Sequence, residues 1–520
     1  MAEHGLRKLI ITITVIAAAI IELIDTSIVN VALNDMSGNL GATIEDVAWV
    51  VTAYAIANVI IIPMTSFLAA RFGRRTYYIG SILLFTGASV ACGNAHNIWE
   101  LVAFRFIQGI GGGALLSTSQ AILFETFTVA QRGFAAAIFA VGLFVGPTIG
   151  PTIGGWIIDH YSWPWIFYIN LPIGLGAAFL SWIYVKEPEH ARSADSIDWI
   201  GIGLLIVGLG SLQTVLERGE SEDWFSTRYI VVLTGVAAAA LVSFIARELI
   251  IDHPVVDLRV LKSRRLAVAA SLTFVLGFAL YATVFIVPVF TQRLLGYSAM
   301  ETGMLFLPGA LVAVLFLPLM GRLLMKGFPP QYMVLIGFFV VAIFGLQLAH
   351  LDLNAGSNDF FWPIILRALG LSLVTIPLTQ LAVSGLSPRD IPQGVALNNM
   401  MRQMGGSFGI AFINTFLDHR SAAHRVDLVS RIAAGDPATE GRLSQLTHAM
   451  IARGATAWEA PRRAMGLIEA TVERQASLLS YIDAFHFVGY LALACVPLIL
   501  IAGKPRSLPK SAAAAAAESH

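Results

Sequence analysis

Apolar residues run along this chain in long blocks separated by short polar or basic turns. Residues 9–33, 49–69, 77–93, 98–122, 133–158, 164–185, 199–217, 229–248, 266–291, 301–324, 331–350, 359–384, 393–417 and 481–502 form these blocks, each close to the roughly 20 residues a helix needs to cross a bilayer. The pattern predicts an all-α membrane protein with about fourteen transmembrane helices. Lysine and arginine then give an orientation. Arg7, Lys8, Arg71, Arg74, Arg75, Arg132, Lys186 and Arg192 fall in turns on one side, as do Arg247, Arg259, Lys262, Arg264, Arg265, Lys326, Arg389, Lys504 and Arg506. The opposite short turns hold little beyond Arg218, Arg228 and Arg293. Short basic loops stay in the cytoplasm, so both termini are expected there.

One segment interrupts the rhythm. Residues 418–480 carry eight arginines, and the spacings Leu443, Leu446, Met450, Ile451 and Ile468, Val472, Leu479 are helical. A loop this long escapes the positive-inside rule. It reads as a periplasmic helical hairpin, either a solvated excursion or a docking surface for an adaptor protein. The alanine-rich tail from Ser511 reads as disordered. A weak repeat, residues 63–71 against 318–326, lays the second span over the tenth and implies two similar halves. The expected division is an N-terminal six-helix bundle over 1–190 and two inserted helices over 191–258. A C-terminal six-helix bundle including the hairpin follows over 259–505, then a disordered tail over 506–520.

Composition agrees with the pattern and narrows the chemistry. Charged residues make up 13% of the chain and hydrophobic ones 57%, where a soluble domain carries about 25% charged residues. Net charge is zero, so no global basic field points to nucleic acid. Cys92 and Cys495 both sit in apolar blocks and imply neither a disulfide nor a metal framework. No P-loop, H-E-x-x-H or G-x-S-x-G sequence occurs, and the histidines are scattered; nothing suggests an enzyme or a metal site. The first block is too long for a signal-peptide core and lacks a small-residue cleavage site, so it reads as a retained span.

The candidate chemistry lies inside the spans. Glu22 and Asp25 sit three residues apart in the first block and so share a helix face. Each costs roughly 2.5–3.5 kcal/mol at membrane depth on insertion scales, so together they mark a polar pathway. Arg105 in the fourth block lies roughly 10 Å deep and Asp25 roughly 12 Å, at about 1.5 Å per residue. The pair is either a switchable carboxylate tuned by an arginine or a static ion pair. Gly142, Gly146, Gly150 and Gly154 recur every four residues beside Pro147 and Pro151. They form a ridge for close helix packing or a flexible seam between moving bundles. Arg71, Gly73, Arg74 and Arg75 form a basic turn that could latch neighbouring helix ends. Asn30, Gln108, Asn398, Arg402 and Arg367 are further polar candidates for a pathway or for interhelix contacts.

In this order the motifs resemble the major facilitator superfamily, specifically its 14-helix drug:proton antiporters of the EmrB/QacA type. Leu23-Ile-Asp25-Thr-Ser-Ile-Val-Asn30 is similar to the first-helix motif and Arg105-Phe-Ile-Gln108-Gly109 to that of the fourth. Gly146-Pro147 with Gly154-Gly155 is similar to the antiporter motif. Residues 66–75 resemble the loop between the second and third helices, and Trp163-Pro-Trp165-Ile-Phe-Tyr-Ile-Asn170-Leu-Pro172 belongs to the same match. Ser66 and Ala70 depart from the Gly and Asp usual in that loop, and Asn34 stands where Pro usually ends the first motif. The resemblance implies a bacterial inner-membrane exporter of amphiphilic compounds with no cofactor, driven by the proton gradient through Asp25, with Glu22 assisting and Arg105 tuning. It further implies a periplasmic adaptor and an outer-membrane channel as partners, with 418–480 as the contact. The alternatives are an exporter dedicated to one metabolite, such as a siderophore or fatty acid, and a non-transporting membrane sensor or scaffold.

Overall fold

The computed structural model describes residues 5–128, 131–187, 198–252, 254–384, 386–387, 390–432 and 436–501. The expected boundary at 190, Arg192, Arg389, Lys504, Arg506 and the tail over 506–520 lie outside the described residues, as does the side chain of Pro147. The first half is α1 (Leu6–Leu40), α2 (Ile44–Phe72), α3 (Arg74–Gly93), α4 (Ile98–Thr126), α5 (Arg132–His160), α6 (Trp165–Tyr168) and α7 (Asn170–Tyr184). Then come α8 (Trp199–Arg218) and α9 (Arg228–Ile250). The second half is α10 (Arg264–Val289), α11 (Ala299–Met325), α12 (Pro330–Leu348), α13 (Ser357–Val383), α14 (Ile391–Ser430), α15 (Pro437–Ala452) and α16 (Ala460–Ile501). Twelve apolar segments of the described residues are long enough to cross a membrane. The remaining predicted blocks, 133–158 and 393–417, fall on α5 and on α14, whose Gln393, Asn398, Asn399, Arg402 and Gln403 dilute its apolar character.

Two elements differ from the sequence expectation. The predicted span 164–185 is broken into α6 and α7 at Ile169, because Pro172 has no N–H to donate to the Tyr168 carbonyl one turn back. The two helical runs of the predicted hairpin fall on α15 and the first part of α16, which pack together, but the helices on either side are longer than expected. After the single Pro392 no proline breaks α14, and none lies between Pro461 and Pro497 in α16. Both therefore continue as single helices past the apolar zone, and only the short α15 lies between them, against α16. Asp483 fastens the two extensions, accepting from Arg420 at 2.5 Å and lying 2.7 Å from His424. Arg425 reaches Glu469 at 3.0 Å.

Apolar packing is asymmetric along the long axis. At the end where α1 begins (the basal end), one continuous cluster joins both halves. It runs from Val15, Phe124 and Ala136 to Leu317, Ile376 and Val395. Near the opposite, distal end each half has its own core. Ile28, Val50, Leu101 and Phe167 form one, and Ile286, Phe344, Phe360 and Phe485 form the other. The basal seam is drawn tight by Gly133 of α5 and Gly321 of α11: a Cβ on Gly321 would lie 2.7 Å from the Gly133 carbonyl oxygen. The halves are closed at the base.

The α8–α9 pair leans on α2 and α14. Gln213 donates to Ser407 at 2.9 Å, Trp224 to Thr415 at 2.8 Å, and Arg218 to the Glu45 carbonyl at 3.3 Å. The pair is clasped at its basal end by Asp198, which caps α8 through the Gly201 N–H and accepts two N–H groups of Arg247 at 2.7 and 2.9 Å. Those Arg247 hydrogen bonds hold the Asp198 carboxyl below its ordinary range.

Candidate functional site

The carboxylate of Asp25 is fully enclosed and fully engaged. Its Oδ2 accepts from Arg105 Nη1 at 2.5 Å, and its Oδ1 accepts from Gln108 and Asn170, each at 2.9 Å. Arg105 also donates to Gln108 Oε1 at 2.6 Å and to the Val50 carbonyl at 3.3 Å, with its guanidinium 4.2 Å from the Tyr54 ring. Ser89 Oγ accepts from Gln108 and Asn170. Four helices of the first half thus close around one carboxylate. The helix break at Ile169 presents Asn170. Gly109, Gly112 and Gly113 let α4 approach α2, where a Cβ on Gly109 would lie 2.6 Å from the Tyr54 carbonyl. A buried ion pair needs its remaining polar atoms satisfied, and here they are.

Glu22 differs from Asp25 in how its oxygens are engaged. Its Oε1 accepts from Asn58 at 3.1 Å and Tyr54 at 3.4 Å, while Oε2 has no partner among the described residues. The side chain borders a cavity of about 60 Å³ between the halves, lined also by Thr26, Asn58, Tyr281 and Gln403. That is room for water, which needs only about 10–15 Å³ and a few polar partners. Arg402 of the second half acts on Glu22 electrostatically. It also borders a smaller polar space, about 20 Å³, on the basal side with Gln120, Thr273, Asn398 and Asn399. Asn399 crosses between the halves to Ser117 and Gln120 at 3.2 and 3.0 Å. Asn398 accepts from Thr273 at 2.9 Å. Arg367 donates to Thr283 of its own half at 2.9 Å, and Asn30 is exposed and donates to the Thr26 carbonyl of its own helix.

The sequence model described as Major Facilitator Superfamily matches residues 15–410. The chain belongs to the Major Facilitator Superfamily. Among curated relatives of this Major Facilitator chain, the multidrug export protein EmrB of Escherichia coli K12 is 32% identical over 508 residues, covering 96% of each chain. The fatty acid resistance protein FarB of Neisseria gonorrhoeae is 31% identical over 498 residues, covering 95% of this chain and 96% of that one. Among solved structures, the human organic anion transporter MFSD10 superposes with a TM-score of 0.56 at 12% identity, covering 93% of this chain and 99% of that one. That likeness confirms the fold.

Two motifs of this Major Facilitator chain act within its first half. The α5 glycine ridge faces α1: a Cβ on Gly146 would lie 2.7 Å from Leu23, one on Gly154 2.6 Å from Ile28, and one on Gly150 would overlap Ser27. Gly142 meets Ile20 in the same row. The idea of a seam between moving bundles is corrected accordingly; the seam is at Gly133 and Gly321, and the ridge, with Pro151 between its last two glycines, binds α5 to the helix that carries Glu22 and Asp25. In the basal turn, Arg74 pairs with Glu125 and Arg75 donates to the Trp182 carbonyl. Glu187 closes the turn by accepting the backbone N–H groups of Arg74 and Arg75, beside Gly73 at φ 82°. Arg71 ends α2 next to it. Glu187, just past the end of α7, thus supplies a carboxylate to this basic turn. Asn170, Ser89, Tyr54 and Asn58 were not singled out as site residues from sequence. An amide inside an apolar block, as at Asn58, is a readable signal because it demands a partner in a dry interior.

Proposed function

We propose that this transporter is a proton-coupled antiporter that exports amphiphilic compounds across a bacterial inner membrane by alternating access of its two halves. The observation that carries the reading is the Oε2 of buried Glu22, without a partner among the described residues, on a side chain that borders a cavity between the halves and feels the charge of Arg402. Protonation of Glu22 removes its attraction to Arg402, and deprotonation restores it, so the proton and the contact between halves are linked. Asp25, with Arg105, Gln108 and Asn170, fixes the helix that carries Glu22. The names of the relatives, multidrug export and fatty acid resistance proteins, support export of lipophilic cargo. Basic residues at the basal face support cytoplasmic termini, which puts the α14–α16 extension on the periplasmic side, available to an adaptor and outer-membrane channel. The relation to FarB favours a second reading, a pump dedicated to fatty acids.

The test is uptake of a lipophilic cationic dye, and separately of a long-chain fatty acid, into inverted vesicles with an imposed proton gradient. Gradient-driven uptake of the dye in the wild type and its loss in Glu22→Gln is the expected result. Uptake that persists in Glu22→Gln at wild-type rate, or after the gradient is collapsed, overturns the coupling; transport of the fatty acid alone selects the second reading.

A further inference from the structure

A cavity of about 490 Å³ lies where the α8–α9 pair meets α2, α10 and α14. Its walls are apolar, with Leu205 and Leu209 of α8, Phe244 and Ile245 of α9, and Met400 and Met404 of α14 among them. The volume is within the range of about 300–1,000 Å³ typical of small-molecule sites, and close-packed interiors do not keep voids of that size empty. Ile245 and Leu249 on its rim are 48% and 52% exposed on α9, an apolar helix long enough to span the membrane. The mouth therefore opens onto hydrocarbon. Methionines adapt their shape to a flexible apolar guest.

The polar cavities of the transport path lie behind a wall. Leu397, Met400 and Met404 turn one face of α14 to the apolar cavity, while Asn399, Arg402 and Gln403 line the polar ones. At the basal end the wall segment with Leu258 and Leu261 runs directly into Lys262 and Arg265, both exposed. Of the nearby acids, Asp198 is engaged by Arg247 and Asp257 by the Arg259 N–H at 3.0 Å, while Glu248 is buried and accepts the Val256 N–H through Oε2, its Oε1 having no partner among the described residues. Basic positions beside a gap between membrane helices suit anionic headgroups.

We propose that this cavity holds an acyl chain of an anionic membrane lipid whose headgroup rests on Lys262 and Arg265. The lipid would fill the joint between the inserted pair and both halves, touching Pro63 of α2 as well as Met404 of α14. This assignment does not depend on Glu22 coupling or on what is exported.

The experiment uses the full-length protein in nanodiscs containing phosphatidylglycerol with a diazirine at the end of one acyl chain, followed by peptide mapping after illumination. Label on the α8 and α9 residues of the wall and on residues 397–404 is the expected result, strongly reduced by Ala270→Phe, which fills the cavity from α10. Lys262→Gln and Arg265→Gln each weaken the preference for phosphatidylglycerol over phosphatidylcholine about fivefold, the worth of one cation near an anionic headgroup. These two surface variants decide the matter even if Ala270→Phe fails to fold. Equal labelling by the phosphatidylcholine probe overturns the assignment. So does label confined to the outer side of α9, or displacement of the lipid probe by a lipophilic cationic dye.

Discussion

Arg105 Nη1 lies 2.5 Å from Asp25 Oδ2, with both side chains shut off from solvent. Removing one partner of such a pair leaves an uncompensated buried charge, which costs about 3–5 kcal/mol. Arg105→Ala is expected to lower stability by that order, read by thermal unfolding of the purified protein in detergent. Asp25→Asn strips the buried Arg105 guanidinium of its counter-charge and sets an amide N–H₂ against its Nη1 if the oxygen stays with Gln108 and Asn170, so a loss of the same order is expected. A loss under about 1 kcal/mol in either variant, the worth of an exposed pair, would contradict the enclosed geometry.

Glu22→Gln is expected to separate folding from transport. The amide retains an acceptor for Asn58 and Tyr54, so its stability should stay within about 1 kcal/mol of wild type. Gradient-driven uptake should fall at least about tenfold, which corresponds to 1.4 kcal/mol in the rate-limiting free energy. What uptake remains should no longer vary with the proton gradient, a comparison made by running both proteins with and without an ionophore.

The sequence was most legible where membrane physics is least forgiving. Fourteen apolar blocks mapped onto helices because every backbone group in hydrocarbon must be bonded internally. Matching depths anticipated the meeting of Asp25 with Arg105. The relative roles of Asp25 and Glu22 were not legible, since they depend on which carboxylate finds all its partners, and those come from α2, α4 and α7. Asn170 is aimed by the break that Pro172 imposes, and Asn58 by the glycine-lined approach of α4 to α2. The packing partner of the α5 glycines was also hidden, because four-residue spacing defines a face without saying which helix covers it.

A side chain at Gly150 is expected to push α5 off α1. Its Cβ would overlap Ser27 Oγ, and overpacking of this kind costs typically about 1–3 kcal/mol. Gly150→Ala should lower the melting temperature, and Ser27→Ala in the same protein should recover part of the loss. A double-mutant cycle measures that coupling; strict additivity would place the two residues apart.

The basal seam gives a conformational prediction. Gly321→Val inserts bulk beside the Gly133 carbonyl and Ala137 and should favour the state open at the base. With Gln120→Cys as a reporter beside Arg402, alkylation from the basal side should be faster when Gly321→Val is present. An unchanged rate would show that the seam does not gate this cavity.

Acid should loosen the inserted pair from its basal end. The Asp198 pKa is lowered by Arg247, so the stabilisation is complete above the unfolded value of about 3.9 and is lost as pH falls through the folded one. Hydrogen exchange at the start of α8 should therefore accelerate only on the acid side of that value. In Asp198→Asn it should already be faster at neutral pH, with this acid step gone.

The unbroken length of α14 has a mechanical consequence. Forty residues of helix make a rod of about 60 Å, with Arg402 in its lower third and α15 beside its far end. A tilt of only about 10° swings the tip of such a rod by about 10 Å, and the clasp of Arg420 and His424 on Asp483 makes α16 follow. A small change of angle in the lower third of α14 is thereby magnified into a large displacement at its distal end, carried by α16 as well.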